Sequence, residues 1–179
     1  FEARESEYVD VKSGVSARLS ISAYENLMST AELRMLANGD QKTGIRLSDF
    51  MGIIPAINGK VELVYEGEQE GAASVAEILI NDAIKTLFPT YFPAIEKLVR
   101  KEASTPYDDI IKWFIEGTDF ELANDLTDKE YEQQLEYITP LTDLLTEYQP
   151  DLDKKDLSFF KEFVLWALVE HKKLSKVEQ

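Results

Sequence analysis

Apolar residues recur every three or four positions along most of the chain, which is the period of an α-helix with one buried face. The first such run begins between Ser16 and Ser22 and ends at Asn38-Gly39, because glycine adopts the left-handed conformation that closes a helix. Its apolar positions are Ala17, Ile21, Tyr24, Leu27, Met28, Ala31, Leu33 and Leu36. If the helix begins at Ser22, then Glu25 completes a capping box with it.

The same period returns after Gly71 and continues to the end of the chain. It predicts helices over residues 74–88, 94–102, 106–117 and 156–174, with prolines 89 and 93 separating the first two. Between the last two, the Thr127 and Glu130 pair predicts a capping box at the start of another helix. Pro140 then separates that helix from one over residues 141–148.

A two-residue alternation, typical of a half-buried strand, occurs in one short segment. Val61, Leu63 and Tyr65 alternate there with charged residues, directly after an Asn-Gly pair that favours a tight turn. The sequence therefore predicts an all-α fold, a helical bundle with a small β-hairpin near residues 53–66.

Charge divides the chain into two parts. Residues 1–60 contain 7 Lys/Arg and 8 Asp/Glu, whereas residues 61–179 contain 12 and 26, so nearly all of the net charge of −15 lies in the second part. Such a surface keeps a protein soluble, repels a phosphate backbone and favours basic partners. We expect a segment 1–67 and an acidic helical domain 71–179, packed as one body, with no nucleic-acid partner.

Several classes of site are excluded by the residues that the chain lacks. It has no cysteine, which excludes disulfides and thiolate metal sites. It has one histidine, His171, so a catalytic triad or a histidine-based metal site has no second member. The motifs G-x-x-x-x-G-K-S/T, G-x-G-x-x-G, G-x-S-x-G and H-E-x-x-H do not occur. We expect no catalytic residue and no metal ligand in this chain.

Two further expectations concern the setting of the protein. The chain has no apolar run long enough to span a membrane and no secretion leader, so we expect a cytoplasmic protein without a membrane partner. Its opening residues, from Phe1 onward, resemble the interior of a domain, so we expect it to be part of a longer protein.

Arg18 is the remaining candidate for a ligand-binding residue. Gly14 permits an unusual backbone angle before it, Ser16 can cap the helix after it, and small neighbours leave its side chain room. A guanidinium with five donors is well suited to a terminal phosphate. The alternative is an exposed arginine that pairs with Glu25 or another carboxylate.

The stretch around Arg18 also resembles a known family. The segment S-G-V-S-A-R-L-S-I-S, with A-Y-E-N-L and A-E-L-R after it, is similar to the sensor 2 segment of AAA+ ATPases of the magnesium chelatase I-subunit and MoxR-like group. The stretch RLSDFMGIIPAINGKVELVYEG, from Arg46 to Gly67, is similar to the next segment of proteins in that group. The resemblance covers residues 13–67, and residues 71–179 resemble a helical C-terminal extension only loosely.

The resemblance implies that Arg18 contacts the γ-phosphate of ATP, with Gly14 and Ser16 positioning it. ATP and Mg²⁺ then belong to the full-length protein rather than to this part of it. Its partners are its own AAA+ core, neighbouring subunits of a homo-oligomeric ring and an unidentified protein client. The family's Walker A, Walker B, sensor 1 and arginine finger match nothing here, so this part has no ATPase activity alone. The alternative is a free-standing acidic helical adaptor that binds a basic protein partner.

Overall fold

The computed structural model describes residues 1–12, 14–95, 104–117 and 120–175 of the chain. These residues are mostly helical, which confirms the predicted all-α class. The α-helices are α1 (Glu2–Glu5), α2 (Leu19–Asn38), α3 (Ile54–Ile57), α4 (Tyr65–Glu70), α5 (Ala72–Tyr91), α6 (Asp108–Glu116), α7 (Asp128–Tyr137), α8 (Thr139–Tyr148) and α9 (Leu157–Glu170). Two 3₁₀ segments, Leu47–Ile53 and Lys154–Asp156, lie between them. No helix of this described part combines the length and apolar composition that crossing a bilayer requires.

The chain divides into two compact units, Phe1–Ile84 and Lys85–Gln179, and the division falls within α5. We call them unit 1 and unit 2. The modules predicted from charge and resemblance, residues 1–67 and 71–179, stay a prediction.

Unit 1 is built on the long helix α2, which packs against the 3₁₀ segment Leu47–Ile53 and against α3. The helix begins at Leu19, within the predicted range, and Gly39 at φ 71° ends it as predicted. A second group of buried side chains joins the N-terminal segment to α3 and α5. Its members are Val9, Ile57, Val61, Val75, Ala76 and Leu79.

The β-hairpin predicted near residues 53–66 is wrong. Residues Ile54–Ile57 form α3 instead, because Pro55 stands in the first helical turn, where its missing N–H group and fixed φ are tolerated. The alternating residues after the Asn-Gly pair lie against the start of the chain. Antiparallel bridges join Val61 to Val15 and Leu63 to Val9.

Unit 2 packs α9 against α7 and α8, and α8 also contacts α6. The apolar face predicted for the last helix is buried in part, with Phe163, Val164 and Leu168 at its centre. An aromatic cluster surrounds Phe163, whose ring centroid lies 5.4 Å from that of Phe88. These aromatic rings therefore pack against one another in the core of unit 2.

The helix boundaries of unit 2 are mostly those that the sequence predicts. Thr127 N donates to Glu130 Oε2 at 3.0 Å and Glu130 N to Thr127 Oγ1 at 3.3 Å, which confirms the capping box of α7. Pro140 stands in the first turn of α8 and separates it from α7.

Of the two predictions for residues 88–102, one is wrong and the other cannot be compared with the structure. Pro89 does not end α5, which continues to Tyr91, although a proline inside a helix loses its own hydrogen bond and crowds the preceding turn. Phe92 N still donates to Phe88 O at 3.1 Å. Most of the helix predicted over 94–102, residues 96–102, lies outside the described residues.

Candidate functional site

Arg18 lies immediately before the first residue of α2, and its side chain is exposed. Its backbone N–H donates to Ser16 Oγ at 3.3 Å, and its carbonyl accepts from Ser22 N at 3.0 Å. Ser22 is therefore inside the helix and does not cap it. None of the ion pairs between described residues includes Arg18, so the alternative pairing with Glu25 is not formed there.

A bend fixed at several points leads into Arg18. Gly14 has φ 65°, in the left-handed region that favours glycine, and a Cβ there would contact nothing within 4 Å. Conformation rather than space therefore selects glycine at this position. Ser16 N donates to Lys60 O at 3.0 Å, and the Ser16 carbonyl accepts from Leu19 N at 2.9 Å. These bonds fix the direction in which α2 leaves the bend.

The electrostatics at this end of α2 favour an anion. The N-terminal end of a helix carries a partial positive charge from its aligned peptide dipoles, and the N-cap position here has no side-chain hydrogen bond to the first turn. The guanidinium of Arg18 adds a full positive charge at the same place. A phosphate group placed beside it would meet both contributions.

The outer surface of α2 has apolar side chains that unit 1 leaves exposed. Ile21 and Tyr24, within two turns of Arg18, are 63% and 64% exposed, and Leu33 and Leu36 are also exposed. The periodicity predicted that these residues face a core, but in α2 only Ala31 is fully buried. The surface beside Arg18 is thus apolar as well as cationic.

Arg34 lies in the A-E-L-R segment of α2 and forms a buried ion pair with Asp49, a role that was not predicted from the sequence. Its Nε and Nη2 donate to the two carboxylate oxygens at 3.1 and 2.9 Å. Nη1 donates to Thr43 Oγ1 and Nη2 to Gly44 O, both at 2.8 Å. The side chains of Arg34 and Asp49 are 8% and 3% exposed.

This ion pair joins α2 to the 3₁₀ segment, since Asp49 Oδ2 also accepts from Arg46 N at 2.8 Å. Its donors are used within the chain, so it holds the elements in place and does not offer a binding group. No local pattern predicts it, because Arg34 and Asp49 are 15 positions apart in the sequence.

Unit 2 also buries charged groups that no sequence pattern indicated. Lys161 and Glu162 of α9 are both buried, and the Tyr131 hydroxyl of α7 donates to Glu162 Oε2 at 2.5 Å. Burial lowers the pKa of the Lys161 amine, and the charge of Glu136 acts in the opposite direction. These contacts connect α7 with α9.

The acidic side chains and His171 of the described residues form no metal site. Among them, no group of three or more histidine, aspartate or glutamate side chains is arranged to hold a metal ion. His171, at the C-terminal end of α9, uses its backbone N–H to close the helix on Ala167 O at 2.9 Å.

No protein-family model, no curated protein and no solved structure matches the chain significantly. The interpretation of Arg18 therefore rests on the geometry of its bend and helix and on the resemblance of residues 13–67.

Proposed function

We propose that the chain is the lid and C-terminal helical part of a magnesium chelatase-like AAA+ ATPase, in which Arg18 contacts the γ-phosphate of ATP. The observation that supports this proposal is the position of Arg18. It is exposed at the positive end of a long helix, after a hydrogen-bonded bend, and has no ion pair with a described carboxylate.

The proposal gives Arg18 a switching role. A guanidinium donates charge-assisted hydrogen bonds to a terminal phosphate, and these bonds are lost when hydrolysis removes that phosphate. Because the bend at Gly14 and Ser16 fixes Arg18 to the start of α2, a force on the guanidinium acts on the whole helix. The state of the nucleotide would thereby set the position of the lid relative to its core.

The exposed apolar residues of α2 support a docking role for the same end of unit 1. Ile21 and Tyr24 are exposed within two turns of Arg18, and a lid that closes on a separate core needs apolar contact near its nucleotide contact. In the proposal, the AAA+ core of the same protein covers them.

The remaining components come from the family that the chain resembles. ATP and Mg²⁺ are bound by the core, which supplies the Walker residues that this chain lacks. The full-length protein forms a homo-oligomeric ring in the cytoplasm and remodels an unidentified protein client, through coupling of hydrolysis to motion of the ring.

The test is ATP hydrolysis by the full-length gene product with Arg18→Ala. We expect turnover to fall at least about tenfold, since a hydrogen bond between charged groups contributes roughly 1.5–3 kcal/mol. Arg4→Ala is the matched control, because Arg4 is also an exposed arginine of unit 1. Both variants should melt at nearly the temperature of the parent.

Two results would contradict the proposal. One is unaltered turnover in Arg18→Ala, and the other is a full-length product without G-x-x-x-x-G-K-S/T. Either would favour the alternative function, an acidic adaptor in which Arg18 has no ligand.

A further inference from the structure

Helices α6 and α8 of unit 2 border an open groove of about 370 Å³. Its apolar lining consists of Trp113 of α6, Leu144 of α8 and the two prolines Pro106 and Pro140. The volume is within the range of about 300–1,000 Å³ that is usual for binding sites in proteins. The groove is formed entirely within unit 2.

Carboxylates from both helices line the groove. Asp109 and Glu116 belong to α6, Asp143 and Glu147 belong to α8, and all four are exposed. Among its described lining residues the one cation is Lys112, so the formal charge is four negative and one positive, or −3. Lys112 Nζ lies 3.9 Å from Glu116 Oε1, and such an exposed pair is weak and easily exchanged for another partner.

The indole of Trp113 gives the groove a fixed aromatic surface. Edge contacts with Phe114 and Tyr137, with ring centroids 5.0 and 6.0 Å away, hold the indole in place. Among the aromatic side chains, tryptophan attracts a cation to its ring face most strongly. A guanidinium or ammonium group at this place would meet an aromatic surface and carboxylates together.

We propose that this groove binds a segment of a partner protein that bears arginine beside apolar residues. Charge complementarity identifies the occupant, because a groove of formal charge −3 repels phosphate and attracts a cation. The apolar lining distinguishes the groove from a solvating acidic surface, which needs no tryptophan. Arginine suits the site better than lysine because its planar group stacks on an aromatic ring while it donates to carboxylates.

This inference is independent of the ATP proposal, because the groove needs no nucleotide and contains no residue of unit 1. An active ATPase without peptide binding, or peptide binding without ATPase activity, would separate the two.

The experiment uses the fluorescence of Trp113 in the whole chain. The chain has two tryptophans, so Trp166→Phe leaves Trp113 as the only one. The probes are a synthetic peptide in which arginine alternates with leucine and the same peptide with neutral citrulline at every arginine position. At an ionic strength of about 0.15 M, where charges farther than about 8 Å are screened, we expect saturable quenching or shift by the arginine peptide only.

Charge-neutral variants locate the site. Asp109→Asn with Asp143→Asn removes one carboxylate from each helix and should weaken binding of the arginine peptide at least about fivefold. Glu132→Gln with Asp151→Asn makes the same change in charge at exposed positions outside the groove and should stay within about twofold of the parent. Far-UV circular dichroism of each variant checks the fold.

Three results would overturn the proposal. They are the absence of a saturable Trp113 response, equal binding of the citrulline peptide, and equal loss of affinity in the two double variants.

Discussion

Arg18 directly precedes α2 and Arg34 lies within it, but the first side chain is exposed and the second is buried. Arg18 is exposed before α2 begins, whereas the donors of Arg34 are used by Asp49, Thr43 and Gly44. The sequence suggested Arg18 as a candidate because of its small neighbours, and its function stays a prediction. It did not reveal the role of Arg34, because a pairing across 15 positions depends on how α2 and the 3₁₀ segment pack.

At this scale the structure predicts a large effect of Asp49→Asn. The substitution keeps the shape of the side chain and removes the charge that faces the buried guanidinium of Arg34. Breaking a buried ion pair from one side costs about 3–5 kcal/mol, because the remaining charge is left without compensation. We expect a loss of that order in the free energy of unfolding of unit 1, measured by urea titration and far-UV circular dichroism.

Glu25→Gln provides the comparison for Asp49→Asn. It also neutralises a carboxylate of unit 1, but Glu25 is exposed, and the change should stay within about 0.5 kcal/mol. If Asp49→Asn were no more destabilising than Glu25→Gln, the ion pair with Arg34 would not hold α2 in place.

At the scale of elements, local sequence patterns predicted where helices begin and end, but they did not predict which elements pack against each other. The capping residues of α7 and the glycine at the end of α2 act within one turn, so the sequence shows them directly. The hairpin failed because alternation indicates an extended segment without identifying its partner, which is the start of the chain. The apolar residues of α2 are exposed for the same reason: periodicity predicts an apolar face but not whether another element covers it.

The contact between α2 and the 3₁₀ segment supplies a prediction about packing. A Cβ on Gly52 would overlap the hydroxyl of Thr30 and lie 2.9 Å from the Thr30 Cβ, closer than real contacts allow. Gly52→Ala should therefore lower the free energy of unfolding by about 1–3 kcal/mol, the usual cost of overpacking. Urea titration measures the change.

A control and a partial rescue make the Gly52 prediction specific. Gly44→Ala places a methyl group where nothing lies within 4 Å, and it should cost less than about 1 kcal/mol. Thr30→Ala in the Gly52→Ala background removes the hydroxyl and should recover part of the loss. If Gly52→Ala were as stable as the parent, Thr30 of α2 would not lie this close to Gly52 of the 3₁₀ segment.

At the scale of the whole molecule, the helical period of the apolar residues identified the class of fold, and the charge count identified the acidic second part. They did not locate the groove between α6 and α8. Its carboxylates come from residues 109–116 and 143–147, and only the packing of the two helices brings these stretches to one cavity. Likewise, the sequence provided one candidate residue for nucleotide binding, while the bend that fixes it depends on the hydrogen bond from Ser16 N to Lys60 O and on the bridge between Val15 and Val61.

The central claim is that Arg18 senses the terminal phosphate of ATP, and the most direct test compares two nucleotides. The affinities of the full-length gene product for a non-hydrolysable ATP analogue and for ADP are measured by calorimetry, with and without Arg18→Ala. The account predicts that the variant loses about 10- to 100-fold in affinity for the ATP analogue, as expected for a bond between charged groups, and keeps its affinity for ADP. Equal changes for both nucleotides, or no change for either, would contradict it.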